Sequence, residues 1–82
     1  MAKLLYFGRL TDTLGTGAEM CALPENINTT ATLRAWLDEK YASQGVLLEQ
    51  SIRIAINNEL VAEPANISDT DEIAFMPPVG GG

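Results

Sequence analysis

The sequence contains no histidine, and its 82 residues include a single cysteine, Cys21. Histidine is the commonest general base and the commonest metal ligand, so its absence argues against a self-contained active site. One cysteine cannot form a disulfide within the chain, and the carboxylates show no spacing typical of a metal site. The common nucleotide-binding and nucleophile motifs are also missing. We therefore expect a protein that is not an enzyme on its own and that binds no metal or cofactor.

Basic residues are scarce as well, since five lysines and arginines stand against eleven aspartates and glutamates, for a formal charge of −6. Such a chain repels phosphate backbones, so we expect no nucleic-acid partner. Acidity favours steering toward a basic protein surface, although it also serves solubility alone. No apolar run approaches the roughly eighteen residues of a membrane span, and the amino terminus turns polar too early for a signal peptide. We expect a cytoplasmic protein with no membrane partner.

Apolar patterns predict five strands and one helix within a single small domain. The helix begins at the capping residue Thr29 or Thr30, stops near Gly45 and carries Arg34 on its polar side. Its apolar stripe consists of Leu33, Trp36, Leu37 and Tyr41. The strands are predicted at residues 3–10, 18–23, 52–57, 60–61 and 72–76, and a turn region at residues 11–17.

One helix packed across a mixed sheet of four or five strands is an α+β roll, and the natural topology is the β-grasp. In that arrangement the last strand lies centrally beside the first strand. We expect residues 1–76 to form the β-grasp domain and residues 77–82 to form an extended tail that leaves from the central strand.

The tail reads Pro-Pro-Val-Gly-Gly-Gly and is the most informative part of the chain. Pro77 and Pro78 hold the backbone extended, and the four residues after them can reach about 13 Å. Glycine has no Cβ, so Gly80 and Gly81 can thread a channel too narrow for other residues. The carboxylate of Gly82 is therefore the candidate reactive group. The alternative is a flexible ending without a function.

Residues 71–82, Asp-Glu-Ile-Ala-Phe-Met-Pro-Pro-Val-Gly-Gly-Gly, resemble the C-terminal segment of the small, sulfur-carrying subunit of molybdopterin synthase, a ubiquitin-like β-grasp family. Residues 4–10, 14–15, 29–37 and 57–61 also resemble that family, so the similarity spans nearly the whole chain. Thr70 and Gly80 depart from the family pattern, which bears on turn geometry and tail flexibility. The closing Gly81 and Gly82 match it.

This resemblance implies a chemistry for Gly82. An adenylating enzyme of the ubiquitin-activating type would use ATP to form an acyl-adenylate, and sulfur from a persulfide donor would replace AMP to give a thiocarboxylate. The tail would then enter the large catalytic subunit of molybdopterin synthase, within a heterotetramer, and donate sulfur to the pterin precursor. The chain would be the non-catalytic subunit of that sulfurtransferase complex in molybdenum cofactor biosynthesis.

The resemblance also favours Phe75 and Leu60 as an apolar docking patch for both partners, with ordinary sheet packing as the alternative. The further residues predicted to contact a partner are Met76, Pro77, Pro78 and Arg9. For Arg9 the alternative is a solvated side chain at a strand end. Cys21 is expected to be a small, half-buried apolar residue rather than a persulfide carrier, and Trp36 is expected in the core.

Three other functions stay open at this stage. The chain could carry sulfur for another pathway, such as thiamine synthesis or tRNA thiolation, because the terminal chemistry is shared. It could be a ubiquitin-like modifier that joins lysine side chains through Gly82. It could also be a non-covalent β-grasp interaction module with an inert tail.

Overall fold

The computed structural model describes residues 1–78, so the predictions for Val79 to Gly82 lie outside the described residues. Residues 1–78 form five strands, two α-helices and one turn of 3₁₀ helix. In chain order these are β1 Ala2–Tyr6, α1 Leu10–Leu14, β2 Ala18–Cys21, α2 Thr30–Tyr41, the 3₁₀ helix Val46–Leu48, β3 Arg53–Ile56, β4 Glu59–Leu60 and β5 Glu72–Met76.

All five strands belong to one mixed sheet in the order β2-β1-β5-β3-β4. The last strand, β5, pairs in parallel with β1 and antiparallel with β3, so it has a hydrogen-bonded neighbour on each side. Phe75 on β5 lies opposite Tyr6 on β1 and Ile54 on β3. The predicted β-grasp topology, with a central last strand, is confirmed.

The long helix α2 covers one face of the sheet and forms the core with it. Thr29 caps the helix, because its hydroxyl oxygen accepts the Thr32 amide at 3.2 Å and the Thr32 hydroxyl oxygen accepts the Thr29 amide at 3.1 Å. These reciprocal bonds satisfy amide donors that the first turn leaves free. Leu33 and Leu37 are fully buried, which confirms the apolar stripe. Trp36 is half-buried against the same core.

The amino-terminal prediction was partly wrong. Strand β1 ends at Tyr6, and a five-residue helix stands where a longer strand and a turn were predicted. Gly8 has a φ of +55°, which interrupts the extended backbone. Leu10 and Leu14, four residues apart, then point into the core on one side of a helical turn.

The end of α2 also differs from the prediction. The helix ends at Tyr41, and Ala42 has the left-handed conformation at its carboxyl end. Gly45, predicted to stop this helix, precedes the 3₁₀ helix instead with a φ of +88°. The Asp38 carboxylate accepts the Gly45 amide at 2.8 Å, so a side chain of the last helical turn ties down the loop that follows.

Arg34 was predicted on the solvent face of α2, and the structure contradicts this because only 7% of the residue is exposed. Its guanidinium donates to both Glu63 carboxylate oxygens, at 2.9 and 2.7 Å. The backbone carbonyls of Leu47, Glu49 and Ile52 accept its other hydrogen bonds. These bonds join the helix to the loop that leads into β3. They also hold the pKa of Glu63 below its usual value, chiefly through hydrogen bonding and despite partial burial.

The remaining observations concern Cys21, membrane-spanning helices and metal-ligating side chains. Cys21 is buried, and burial raises the pKa of its thiol, as expected of a small packing residue. Within residues 1–78, no helix is long and apolar enough to cross a membrane. The same part of the chain contains no cluster of three or more potential metal-ligating side chains.

Candidate functional site

The tail begins at the end of the central strand, at a position set by β1. Beyond the last register pair, the Phe7 amide donates to the Phe75 carbonyl at 3.1 Å. Gly8 then lies so close to the tail that a Cβ at this position would stand 3.1 Å from Cγ of Pro77. Pro77 is half-buried and Pro78 is exposed. The backbone therefore leaves the sheet from an anchored strand, along the Gly8 backbone.

The residues predicted to thread a channel and to react lie beyond this point. Gly80, Gly81 and Gly82 are outside the described residues. Their roles in threading and in sulfur chemistry stay predictions. Residues 1–78 show only where the tail starts.

The sheet face opposite α2 carries a shallow apolar depression of about 280 Å³ beside the start of the tail. Phe7 is 48% exposed and Leu60 is 58% exposed, which is unusual for large apolar side chains that stand together. We call this surface the open-face patch. Its lining residues are Leu5, Phe7, Ala55, Asn58, Leu60, Ala74 and Met76. The structure thus brings Leu60 and Met76 together, as a docking patch requires.

Phe75 does not belong to the open-face patch, so this part of the prediction needs correction. The residue is 0% exposed, and its ring lies 5.7 Å from the Tyr6 ring, centroid to centroid. Alternation along a strand puts residues 73 and 75 on the helix-covered face and residues 74 and 76 on the open face. Phe75 therefore packs in the core, which was the alternative considered for it.

Phe7 takes the surface position that was expected of Phe75, and sequence reasoning missed it. The signal was present, because Leu5 and Phe7 alternate with the buried residues Leu4 and Tyr6. Interpreting residues 3–10 as one apolar strand hid this alternation. The open-face patch is consequently built from the four neighbouring strands β1, β5, β3 and β4, from Phe7 after β1 and from Asn58 in the turn between β3 and β4.

Arg9 lies near the start of the tail and forms an ion pair within the chain. Its guanidinium is 3.6 Å from the carboxylate of Glu49, and both side chains are about half exposed. An exposed pair of this kind contributes little to stability, and the arginine can change partners at small cost. The predicted contact between Arg9 and a partner stays a prediction.

A polar cluster on the other side of the sheet braces β1, β2 and the end of α2. The Glu19 carboxylate accepts from the Tyr6 hydroxyl at 2.8 Å, from Lys40 Nζ at 3.1 Å and from the Tyr41 hydroxyl. Burial alone would raise the pKa of Glu19, but these donors outweigh it and lower the pKa. Burial and the hydrogen bond to Glu19 raise the pKa of Tyr41 to about 12. The cluster is internally satisfied, and it holds Tyr6 against Phe75.

A five-stranded β-grasp sheet whose last strand is central and ends beside an exposed apolar patch is typical of a ubiquitin-like β-grasp protein. The chain belongs to the ThiS family, whose model matches residues 4–82. The resemblance drawn from the sequence is thereby confirmed.

Individual relatives agree with this family. The molybdopterin synthase sulfur carrier subunit of Escherichia coli (strain K12) is 32% identical over 83 residues, an alignment that covers 100% of both chains. The small archaeal modifier protein 1 of Methanosarcina acetivorans has a similar fold, with a TM-score of 0.77 and 24% identity over 99% of this chain and 95% of that one. A complex of subunits 1 and 2 of the molybdopterin-converting factor from Helicobacter pylori 26695 contains a chain with a TM-score of 0.66 and 27% identity, covering 99% and 97% of the two chains.

Proposed function

We propose that this chain is a sulfur carrier for molybdopterin synthesis and that the Gly82 carboxylate carries the sulfur. The observation on which the proposal rests most is the full-length similarity to the sulfur carrier subunit of Escherichia coli. The tail geometry supports it, because β5 is held on both sides and ends beside an exposed apolar surface.

The chemistry assigns separate tasks to the tail and to its partners. A free terminal carboxylate has a pKa of about 3.5, so at neutral pH it is an anion and a poor acyl donor. Adenylation by an ATP-dependent enzyme of the ubiquitin-activating type turns it into an acyl-adenylate. The outer sulfur of a persulfide donor then attacks the acyl-adenylate and AMP leaves, which gives an acyl disulfide. A thiol of the sulfur-donating system cleaves that S–S bond, so the thiol is oxidised to a disulfide and the Gly82 thiocarboxylate is released. The carrier contributes no acid or base, which fits a chain without histidine.

The open-face patch is the surface that would dock the partners. Its apolar side chains have no cover within residues 1–78, and the tail starts at its border, so a partner seated on the patch also receives the tail. The large catalytic subunit would supply the residues that position and activate the pterin precursor. The Helicobacter pylori complex of two subunits supports a partner of this kind.

The direct test is the mass of the C-terminal peptide after incubation with ATP, a sulfur source and a purified activating enzyme. We expect sulfur in place of oxygen on Gly82. Oxidation of Met76 adds nearly the same mass, so fragment ions must locate the change. A matched chain lacking Gly81 and Gly82 serves as control, and it should stay unmodified.

The alternatives are separated by this assay together with three further tests. A carrier for thiamine synthesis or tRNA thiolation would also gain sulfur on Gly82, but it would not serve molybdopterin synthase. A protein modifier would be recovered with Gly82 joined to lysine side chains of other proteins. An interaction module would keep its function after removal of Gly81 and Gly82, and that result would overturn the proposal.

A further inference from the structure

The cationic side chains of this acidic protein are almost all paired within the chain. Four of the five lie within 4.0 Å of a carboxylate. The pairs are Lys3 with Glu72 at 4.0 Å, Arg9 with Glu49 at 3.6 Å, Arg34 with Glu63 at 2.7 Å and Lys40 with Glu19 at 3.1 Å. The fifth is Arg53, which is exposed and, among residues 1–78, has neither an ion pair nor a side-chain hydrogen bond.

Arg53 stands where the open-face patch meets the start of the tail. It is the first residue of β3, and its Cα lies opposite that of Met76, the last residue of β5. Directly opposed residues on paired strands project from the same face of the sheet. Arg53 also lines a recess of about 460 Å³ beside α2, together with Arg34, Gln50 and Glu63. The recess is large enough to admit an acidic side chain from another protein.

The acidic residue of the same recess is already engaged. Both carboxylate oxygens of Glu63 accept hydrogen bonds from Arg34, at 2.9 and 2.7 Å. Arg53 lowers the pKa of this carboxylate only as a neighbouring charge, and it does so less than Arg34. Arg53 is thus exposed, and no carboxylate of residues 1–78 forms an ion pair or a hydrogen bond with its guanidinium.

We propose that Arg53 is a specificity residue of the docking surface and that it pairs with a carboxylate of the partner that covers the open-face patch. This inference rests on the proposed function, and it adds the chemistry of the partner surface: an apolar centre with an acidic residue beside the entrance for the tail. The planar guanidinium matches a carboxylate through two parallel hydrogen bonds, and an apolar surround that excludes water strengthens such a pair.

The overall charge and the local charge then have different effects. A formal charge of −6 steers the chain toward basic surfaces at long range. An unpaired arginine at the border of the patch fixes the register of docking at short range, because a misplaced partner leaves both its own acid and Arg53 without a counter-charge. The ion pair between Arg53 and the partner's carboxylate would hold the partner's opening for the tail at the point where Pro77 leaves the sheet.

The first experiment compares two charge reversals on the same face of the sheet. Arg53→Glu and Lys3→Glu both change the formal charge from −6 to −8, so long-range steering changes equally. Lys3 lies near the start of β5, opposite Glu72, about 13 Å from the Met76 end at 3.3 Å per residue. The probes are the purified large molybdopterin synthase subunit and the activating enzyme of the same organism, titrated calorimetrically.

We expect Arg53→Glu to weaken binding of at least one probe by roughly 30-fold or more, and Lys3→Glu to weaken it by no more than about threefold. Equal losses would overturn the inference and leave the proposed function standing. If the natural chain bound neither probe, the proposed function and this inference would both fail. Amide NMR spectra of each variant report whether the fold is retained.

The second experiment identifies the group that Arg53 meets and keeps the native charge. Arg53→Lys introduces an amine that a carbodiimide can couple to a carboxylate in direct contact. The natural chain, in which Lys3 and Lys40 already lie beside internal carboxylates, is the matched control. We expect a new zero-length cross-link to one acidic residue of the partner, located by mass spectrometry. A cross-link from this position to the chain's own carboxyl terminus, or none to the partner, would overturn the inference.

Discussion

The two faces of the sheet differ in what covers their apolar side chains: α2 buries one face, and the other is exposed in residues 1–78. On the helix-covered face, Ile73 and Phe75 of β5 are fully buried beneath Leu33 and Leu37 of α2. On the other face, Ala74 and Met76 of the same strand border exposed Phe7 and Leu60. A sheet that faces water on one side normally alternates apolar and polar residues. The apolar residues on both faces of β5 therefore fit the proposal that a partner covers the second face.

The comparison predicts that substitutions on the two faces separate stability from binding. Core changes should lower the free energy of unfolding, and open-face changes should lower affinity for a partner with little effect on unfolding. A small domain has only a few kcal/mol of net stability, so the contrast is measurable by denaturant titration.

The largest effect is expected from Phe75→Ala on the core face. Removing a fully buried ring that contacts Tyr6 should lower the free energy of unfolding by about 3–5 kcal/mol. Urea titration followed by tryptophan fluorescence measures it, and Phe75→Leu should lose much less. A Phe75→Ala variant as stable as the natural chain would contradict the assignment of this ring to the core.

The next effect concerns Arg34, which joins α2 to the loop before β3. Arg34→Ala should lower the free energy of unfolding by about 3 kcal/mol, because it leaves the Glu63 carboxylate and three backbone carbonyls without their donors. The double variant Arg34→Ala with Glu63→Ala should lose less than the sum of the two single changes. Full additivity in denaturant titrations would show that the pair does not act as a unit.

On the open face, Phe7→Ser should change the free energy of unfolding by no more than about 0.5 kcal/mol, since its side chain is half exposed. Its affinity for the large subunit should fall about tenfold or more, because a large aromatic ring leaves the centre of the docking surface. Calorimetric titration gives the affinity. Thr13→Ser, an exposed change on α1 away from the patch, is the control and should bind normally.

The smallest effect is a pH dependence of the free energy of unfolding that comes from Glu19, which accepts hydrogen bonds on the helix-covered face. Its pKa is lowered by folding, so its stabilising contribution is present above its ordinary pKa of 4.5 and is lost as the pH falls through its folded value. Glu19→Gln should be less stable at pH 7 and should lose less stability than the natural chain on acidification. Parallel stability curves for the two proteins would exclude Glu19 from the acid response.

Much of the fold follows from local patterns, and the exceptions have physical causes. The stripe of Leu33 and Leu37 and the alternation of residues 72–76 fix the helix and the last strand without any tertiary information. Burial of Arg34 depends on Glu63 and on carbonyls from residues 47–52, which no local pattern brings together. The helix Leu10–Leu14 was missed because it has only two buried leucines, too few to show a helical period. Gly15 at its end is also equally typical of a turn.

The docking surface was predictable in part. Leu60 was named from the resemblance and Met76 as a further contact residue. Strand alternation alone excludes Phe75 from the face that holds Met76. Applying the same period to β1 points to Phe7. The significance of Arg53 could not be predicted from the sequence, because it depends on which of the other cations find carboxylates once the chain has folded.

The decisive experiment on the proposed function follows the transfer of sulfur from Gly82 to the pterin precursor. The activating enzyme is first used to prepare the chain with a Gly82 thiocarboxylate. This chain is mixed with the purified large subunit and the pterin precursor, and the mass of the C-terminal peptide is measured by mass spectrometry at successive times. We expect Gly82 to return to the carboxylate mass only when both are present, while the precursor gains sulfur. A thiocarboxylate that persists in the complete mixture, beside a known carrier that is discharged, would contradict it.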